Sequence, residues 1–228
     1  MTLALIPARA NSKSIKNKNL ALLGGKPLLY YTIAAAKQAN CIDKILVSSD
    51  GEDILHYALS QDVATLKRPA KFAKDTTQTK QVLSHTLKHY GEYDEIIVLQ
   101  ATSPFRSGDD INRAYEIFKQ KRANALISVS AIDNKILKAF LANKNGELEG
   151  INNNIFPFMP RQKLPKTYQS NGAIYIIKKE IFLRHNTFLP PKTHFYEMAQ
   201  SLDIDTMQDL QRAEEILKGA NDENSKCE

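Results

Sequence analysis

Residues 3–19 read LALIPARANSKSIKNKN, and the fold turns on them. Leu3–Ala8 is a buried strand, and the chain then enters a loop carrying Arg9, Lys13, Lys16 and Lys18, with Asn11, Ser12, Asn17 and Asn19 between them. In an α/β fold, ligands bind in the crevice beyond the carboxyl ends of the strands. A loop there with four cations and several amide or hydroxyl donors suits a strongly anionic ligand, a nucleoside triphosphate first among candidates. The pattern is not GxxxxGK[ST], which excludes an ordinary P-loop. A solvated basic turn is the competing reading; the position straight after the first strand favours a ligand.

Working outward, strand and helix signals alternate, which predicts an α/β fold with a mainly parallel sheet and helices on both faces. Gly24-Gly25 makes a turn and Pro27 opens a helix to about Ala39. Strands are expected at Lys44–Ser48, Ala64–Leu66, Glu95–Gln100, Ala125–Val129 and Ala173–Ile177, and helices near 52–61, 77–89 and 109–121. From about Asp133 to Ser170 the rhythm breaks. Lys138–Ala142 reads as a strand, Asn145-Gly146 as a hairpin turn, and three prolines follow. We expect one domain over 1–220, with 131–170 as an excursion of strands and loops rather than a separate domain. Thr206 with Asp209 forms a capping box for a last helix to about Lys218, and 221–228 is expected to be a disordered tail.

The net charge of +6 mildly favours anionic ligands and is too small to argue for nucleic acid. Two cysteines, Cys41 and Cys227, make no disulfide framework, so a reducing, cytoplasmic setting is expected. No apolar run approaches the roughly 18 residues that span a bilayer, so no membrane partner is expected. The histidines show no metal-ligand pattern, and no nucleophilic triad can be nominated.

Three further stretches carry chemistry. Leu99–Arg106 leaves a central strand with Gln100 and Thr102 placed to read hydroxyls or a base edge, while Arg106 reads best as a surface residue of a Ser-Pro turn. In Ser201–Asp205, Asp203 and Asp205 alternate along an extended segment and so share a face. Beside a phosphate cradle that is a magnesium site, the ion keeping its other positions for water and phosphate; helix capping is the plainer alternative. Asp50 reads better as a strand-end turn residue than as a further acid. In the last stretch Arg161 suits a bidentate grip on a carboxylate, and Asn171 and Tyr175 could read hydroxyl or amide groups. A stiffened exposed loop followed by a core strand explains the same residues equally well.

These blocks, in order, resemble the acylneuraminate cytidylyltransferases: IPARANSKSIKNKNL, VSSD at 47–50, KRP at 67–69, LQATSPFR at 99–106, PRQKLP at 160–165, SNGAIYI at 170–176 and SLDIDT at 201–206. The resemblance runs from about Leu3 to Leu217. It implies a Rossmann-like nucleotidyltransferase fold, a homodimer in which the excursion reaches towards the partner, and a magnesium-dependent reaction. That reaction joins CTP to a nine-carbon 2-keto sugar acid, N-acetylneuraminate first, with legionaminate, pseudaminate or KDO as alternatives. Arg9, Lys18, Asn19, Arg68, Gln100 and Thr102 fall at CTP-contacting or reacting positions, with Asn11, Ser12 and Lys13 on the same loop. Lys138, Arg161, Asn171, Tyr175 and Phe188, together with Gln100, fall where the sugar is held, and Asp203 and Asp205 match metal-binding aspartates. The group that takes the sugar hydroxyl proton stays open, Asp205 and a metal-bound hydroxide both being candidates. Ala10-Asn11 and Ser14 stand where many members carry glycine, which restricts the loop backbone here. A non-catalytic nucleic-acid-binding protein is the alternative from another class.

Overall fold

The computed structural model describes residues 1–199 and 201–224. In chain order its elements are β1 (Thr2–Pro7), β2 (Leu22–Leu23), β3 (Lys26–Pro27), α1 (Leu28–Gln38), β4 (Lys44–Ser49), α2 (Glu52–Ser60), β5 (Ala64–Lys67), α3 (Thr79–Thr86) and β6 (Glu95–Leu99). There follow α4 (Gly108–Gln120), β7 (Ala125–Ile132), β8 (Phe140–Ala142), β9 (Leu148–Gly150), β10 (Thr167–Lys178), α5 (Lys179–His185), β11 (Thr193–Glu197) and α6 (Met207–Asn224). Seven strands make one sheet in the order β11-β7-β10-β6-β1-β4-β5. Strand β10 runs antiparallel to both neighbours, and the other pairs are parallel.

Period-two alternation sorts the core onto two faces. Ala4, Ile6, Ile97, Leu99, Ile174 and Ile176 pack with Leu29 and Ile33 of α1 and Ile111 and Phe118 of α4. Leu3, Leu5, Ile96, Val98 and Ile177 face the other way, onto Leu83 of α3 and Phe182 of α5. Each of the larger side chains among these, fully buried, contributes about 1.5–3 kcal/mol. A third cluster (Ile15, Leu23, Leu28, Ile204, Leu210 and Ala213) fastens α6 over the opening loop.

The Rossmann-like α/β expectation holds, with local departures. Strand β10 begins at Thr167, inside the span expected as irregular, because an antiparallel return to β7 needs no crossover helix. Helix α5 and strand β11 go unmarked in the sequence reading. Within the excursion Lys138 closes a 3-10 turn (Asn134–Lys138), so only Phe140–Ala142 pairs as a strand, with Gly146 at φ +80° in the hairpin. Helix α6 runs on to Asn224, overlapping the expected tail; residues 225–228 lie outside the described residues.

Candidate active site

The sheet order reverses at β1, which is followed in sequence by β4 on one side and has β6 on the other. The crevice at such a switch point gathers residues just past the strand ends. Arg9 follows β1, Asp50 follows β4, Arg68 follows β5 and Gln100 follows β6.

A cleft of about 240 Å³ opens there, lined among others by Arg9, Lys18, Asn19, Arg68, Gln100 and Thr102, with Asp205 at one end. Asn19 is buried and its Nδ2 donates to the Arg9 carbonyl at 2.8 Å, which ties the two ends of the loop together. Asn17 takes the left-handed turn at φ +52°, a conformation asparagine tolerates. Ala10 packs directly against Gly51: a Cβ at Gly51 would lie 2.7 Å from that of Ala10. Asn11, Ser12 and Lys13 stay on the outer loop and are not part of the cleft wall. Lys13 instead reaches Asp75 at 2.8 Å, and Arg9 pairs with the other oxygen of the same carboxylate. These two partners hold Asp75 below the usual carboxylate range, Lys13 contributing most.

Arg68 is 5% exposed, and its Nε and Nη2 find no hydrogen-bond partner among the described residues. Burial lowers its pKa, an effect offset in part by Asp50, 3.8 Å from Nη2. Asp50 also accepts from the Ala10 N–H at 3.0 Å, so it shapes the loop, as a turn residue should. Arg68 thus brings a buried, incompletely hydrogen-bonded guanidinium to the cleft wall.

A second cavity, about 340 Å³, is lined by Ser130, Gln169, Ser170, Asn171, Ser201, Asp203 and Asp205. The two cavities meet at Asp205. Asn171 is set by a serine network: Ser128 Oγ donates to its Oδ1 at 2.6 Å, and Ser130 Oγ shares a 2.7 Å bond with Ser201 Oγ. Asp203 is exposed as a residue, but its carboxyl end sits 3.5 Å from where a Cβ on Gly172 would lie. Burial of that end raises its pKa, a bond from Thr102 lowers it, and the charge of Asp205 raises it again. Asp205 pairs with Lys18 at 2.9 Å, and the start of α6 fixes the segment through Asp209, which accepts from the Thr206 N–H at 2.7 Å. Asp203 and Asp205 are hard-oxygen donors of the kind a magnesium ion takes, and both line this cavity. Among the described residues no group of three or more His, Cys, Asp or Glu gathers as an all-protein cage.

The remaining expected sugar contacts lie elsewhere in this chain. Arg161 is 3.3 Å from Asp133 and lines a separate cavity of about 640 Å³; Lys138 closes the 3-10 turn of the excursion. Phe188 packs at a tilt on Tyr175, 5.4 Å between ring centroids, on the α5 face, and the Tyr175 hydroxyl lies 2.9 Å from Oγ of Ser170, which lines the second cavity. The surface position expected for Arg106 is wrong: it is 3% exposed. Sequence reasoning missed Lys74, Asp75, Ser130 and Ser201. The first two sit in the polar loop after Lys67-Arg68-Pro69, which was the available signal.

The Cytidylyltransferase family profile matches residues 3–226. The chain is 32% identical to an N-acylneuraminate cytidylyltransferase of Streptococcus agalactiae, over 91% of this chain and 51% of that protein, so it spans about half the length of that relative. It is 30% identical to the pseudaminic acid cytidylyltransferase of Campylobacter jejuni over 95% of this chain and 96% of that one. A CMP-N,N'-diacetyllegionaminic acid synthase of Legionella pneumophila is 31% identical, over 95% and 96%. The fold superposes on a CMP:2-keto-3-deoxy-manno-octonic acid synthetase solved with CTP at a TM-score of 0.75 and 16% identity, covering 96% of this chain and 99% of that one. The chain belongs to the cytidylyltransferase family, as its seven ordered motif blocks implied.

Proposed function

We propose that the protein is a cytidylyltransferase that joins CTP to a nine-carbon 2-keto sugar acid, giving the CMP-sugar and pyrophosphate, with N-acetylneuraminate the first substrate to test. One observation carries the reading: the cation-lined cleft and the hydroxyl-lined cavity share Asp205. A nucleotide in the first and a sugar in the second would bring their reacting atoms together at that residue. Arg68 lines the cleft, and cytosine offers its guanidinium two adjacent acceptors, O2 and N3; uracil has a donor at N3, so the same group disfavours it.

The sugar's anomeric hydroxyl attacks the α-phosphorus in line with the departing pyrophosphate, a reaction governed by positioning and charge neutralisation. Arg9 and Lys18 hold the growing charge of the leaving group, and Gln100 orients the substrate at the cleft's inner end. Magnesium held by Asp203 and Asp205, when bound, neutralises phosphate charge. Asp205 is our candidate to take the hydroxyl proton.

The second cavity has no cation of its own among its lining residues, yet the sugar carries a carboxylate. We assign that task to Lys138 and Arg161 of a partner subunit. The excursion that bears them exposes Phe140, Leu141, Leu148, Ile155 and Phe158, an apolar surface that a homodimer would cover. Cys41 is free, which suits a reducing compartment, and we place the protein in the cytoplasm on that ground. A nucleic-acid-binding role gains nothing from cations gathered into one cleft and half neutralised there by Asp75 and Asp205.

The test is pyrophosphate release from CTP against N-acetylneuraminate, legionaminate, pseudaminate and KDO, with UTP as the control nucleotide. Release with CTP and one of these acids is expected. No release with any of them, together with salt-sensitive binding of oligonucleotides, would replace this reading with the nucleic-acid one.

A further inference from the structure

The Leu99–Arg106 motif supplies Gln100 and Thr102 to the cleft, but its arginine lines neither cavity. Arg106 is buried instead, and its Nη1 donates to two carbonyls: Gln100 at 3.2 Å and Ala173 at 2.9 Å. These carbonyls belong to β10 and to the residue just past β6, adjacent antiparallel strands, at the point where their pairing stops. The last pair is Leu99 with Ile174. Beyond it the two chains part. Gln100 enters the nucleotide cleft, while Gly172, at φ +75°, turns Asn171 into the second cavity.

We propose that Arg106 is a positioning residue, a buried staple across the diverging ends of β6 and β10 that fixes the spacing between Gln100 on the nucleotide side and Asn171 on the sugar side. The inference rests on the cytidylyltransferase reading of those two cavities.

Its energetic setting argues for such a role over simple packing. Nε and Nη2 of Arg106 have no partner among the described residues, and burial drives the guanidinium pKa down to about 9. Asp110 is the acid that favours its charge. A half-satisfied buried cation is costly, and an apolar side chain of similar volume would often fill the space as well or better. What an apolar residue cannot do is donate to both carbonyls. No ladder bond links the strands past Leu99 and Ile174, so the guanidinium supplies the cross-link there. In-line transfer needs reacting atoms about 3–3.5 Å apart, and a shift of about 1 Å between the two substrates can cost on the order of 100-fold.

The experiment compares Arg106→Met, which keeps length and loses every donor, with Arg106→Lys, which keeps a charged donor. Turnover is measured with CTP and the accepted sugar acid, and amide hydrogen exchange is followed through the sheet. In Arg106→Met we expect kcat to fall by about 100-fold with KM for CTP within about threefold of wild type. Exchange should quicken at 100–102 and 171–173 and stay unchanged in β1 and β4. Arg106→Lys should regain at least about a tenth of wild-type kcat. A Met variant with near-wild-type kcat overturns the staple, as does quickened exchange spread evenly over the sheet. If Arg106→Met does not fold, Arg106→Gln, which keeps one amide donor, takes its place under the same two criteria. Should the wild-type protein turn over none of the sugars, the proposed function has failed, and the exchange pattern alone decides whether the staple stands.

Discussion

Lys18 Nζ lies 2.9 Å from the Asp205 carboxylate, linking the opening loop to the segment before α6. The pair joins a cation of the nucleotide cleft to a carboxylate shared with the second cavity. Lys18 is mostly shielded, with 13% of its side chain exposed. On the proposed reaction, Lys18→Ala removes charge from the leaving-group side, while the loop stays tied by Asn19. Turnover should drop at least tenfold, about 1.4 kcal/mol of barrier. Steady-state pyrophosphate release is the measurement, and kinetics equal to wild type would remove Lys18 from the cradle.

Asp205→Asn keeps the shape of the other half of that pair and removes its charge. Its backbone N–H still bonds Asp209, so the start of α6 is preserved and the melting temperature should hold within a few degrees. Activity at saturating substrates should fall at least about tenfold, and the magnesium concentration for half-maximal rate should rise. A metal titration that overlays wild type would reject Asp205 as a ligand.

How far the sequence disclosed this site depends on the range of the interactions. The strand that opens the chain, the cations after it and the Asp203-Asp205 pair were legible because local order dictates them: strand ends define the crevice, and alternate residues share a face. Arg106 was not. A Ser-Pro turn with an arginine looks solvated, and only the meeting of Gln100 with Ala173, far apart in sequence, draws it inside. Asp75 was missed for a similar reason, since its partners come from a loop more than sixty residues earlier. The antiparallel β10 was half seen. Its apolar run Ala173–Ile177 stood out, but the polar stretch from Thr167 pairs with β7 through backbone bonds, which side-chain periodicity does not report.

Asp75 occupies the cations that a triphosphate would use. Its two oxygens face Lys13 and Arg9, so CTP must displace it or share them. Asp75→Asn should therefore lower KM for CTP by about two- to fivefold, the scale of exposed ion pairs, with kcat little changed. The sign with pH follows from the lowered pKa. A carboxylate whose folded pKa lies below its unfolded value contributes its pairing fully above the unfolded value and loses it only as pH falls through the folded one. Across the neutral range Asp75 stays ionised, and the KM ratio of variant to wild type should be flat. A KM that rises in Asp75→Asn would show the carboxylate orienting the cations instead of competing for them.

The excursion offers the test of assembly. Phe158 is 81% exposed and stacks at its edge with Phe140, 6.3 Å between ring centroids, beside the exposed Leu148 and Ile155. Aromatic residues near the centre of an interface commonly carry about 2 kcal/mol or more of its stability. Phe158→Glu should thus raise the dimer dissociation constant at least about tenfold. Sedimentation velocity over a concentration series reads that change. Loss of turnover should follow dissociation, because the second cavity would lose the partner's Lys138 and Arg161. The two effects can be separated by mixing inactive variants. Lys18→Ala subunits retain their excursion and Arg161→Ala subunits retain their cleft, so mixed dimers regain one complete site and turnover returns. If wild type sediments as a monomer at all working concentrations while remaining fully active, both the dimer and the shared site are wrong.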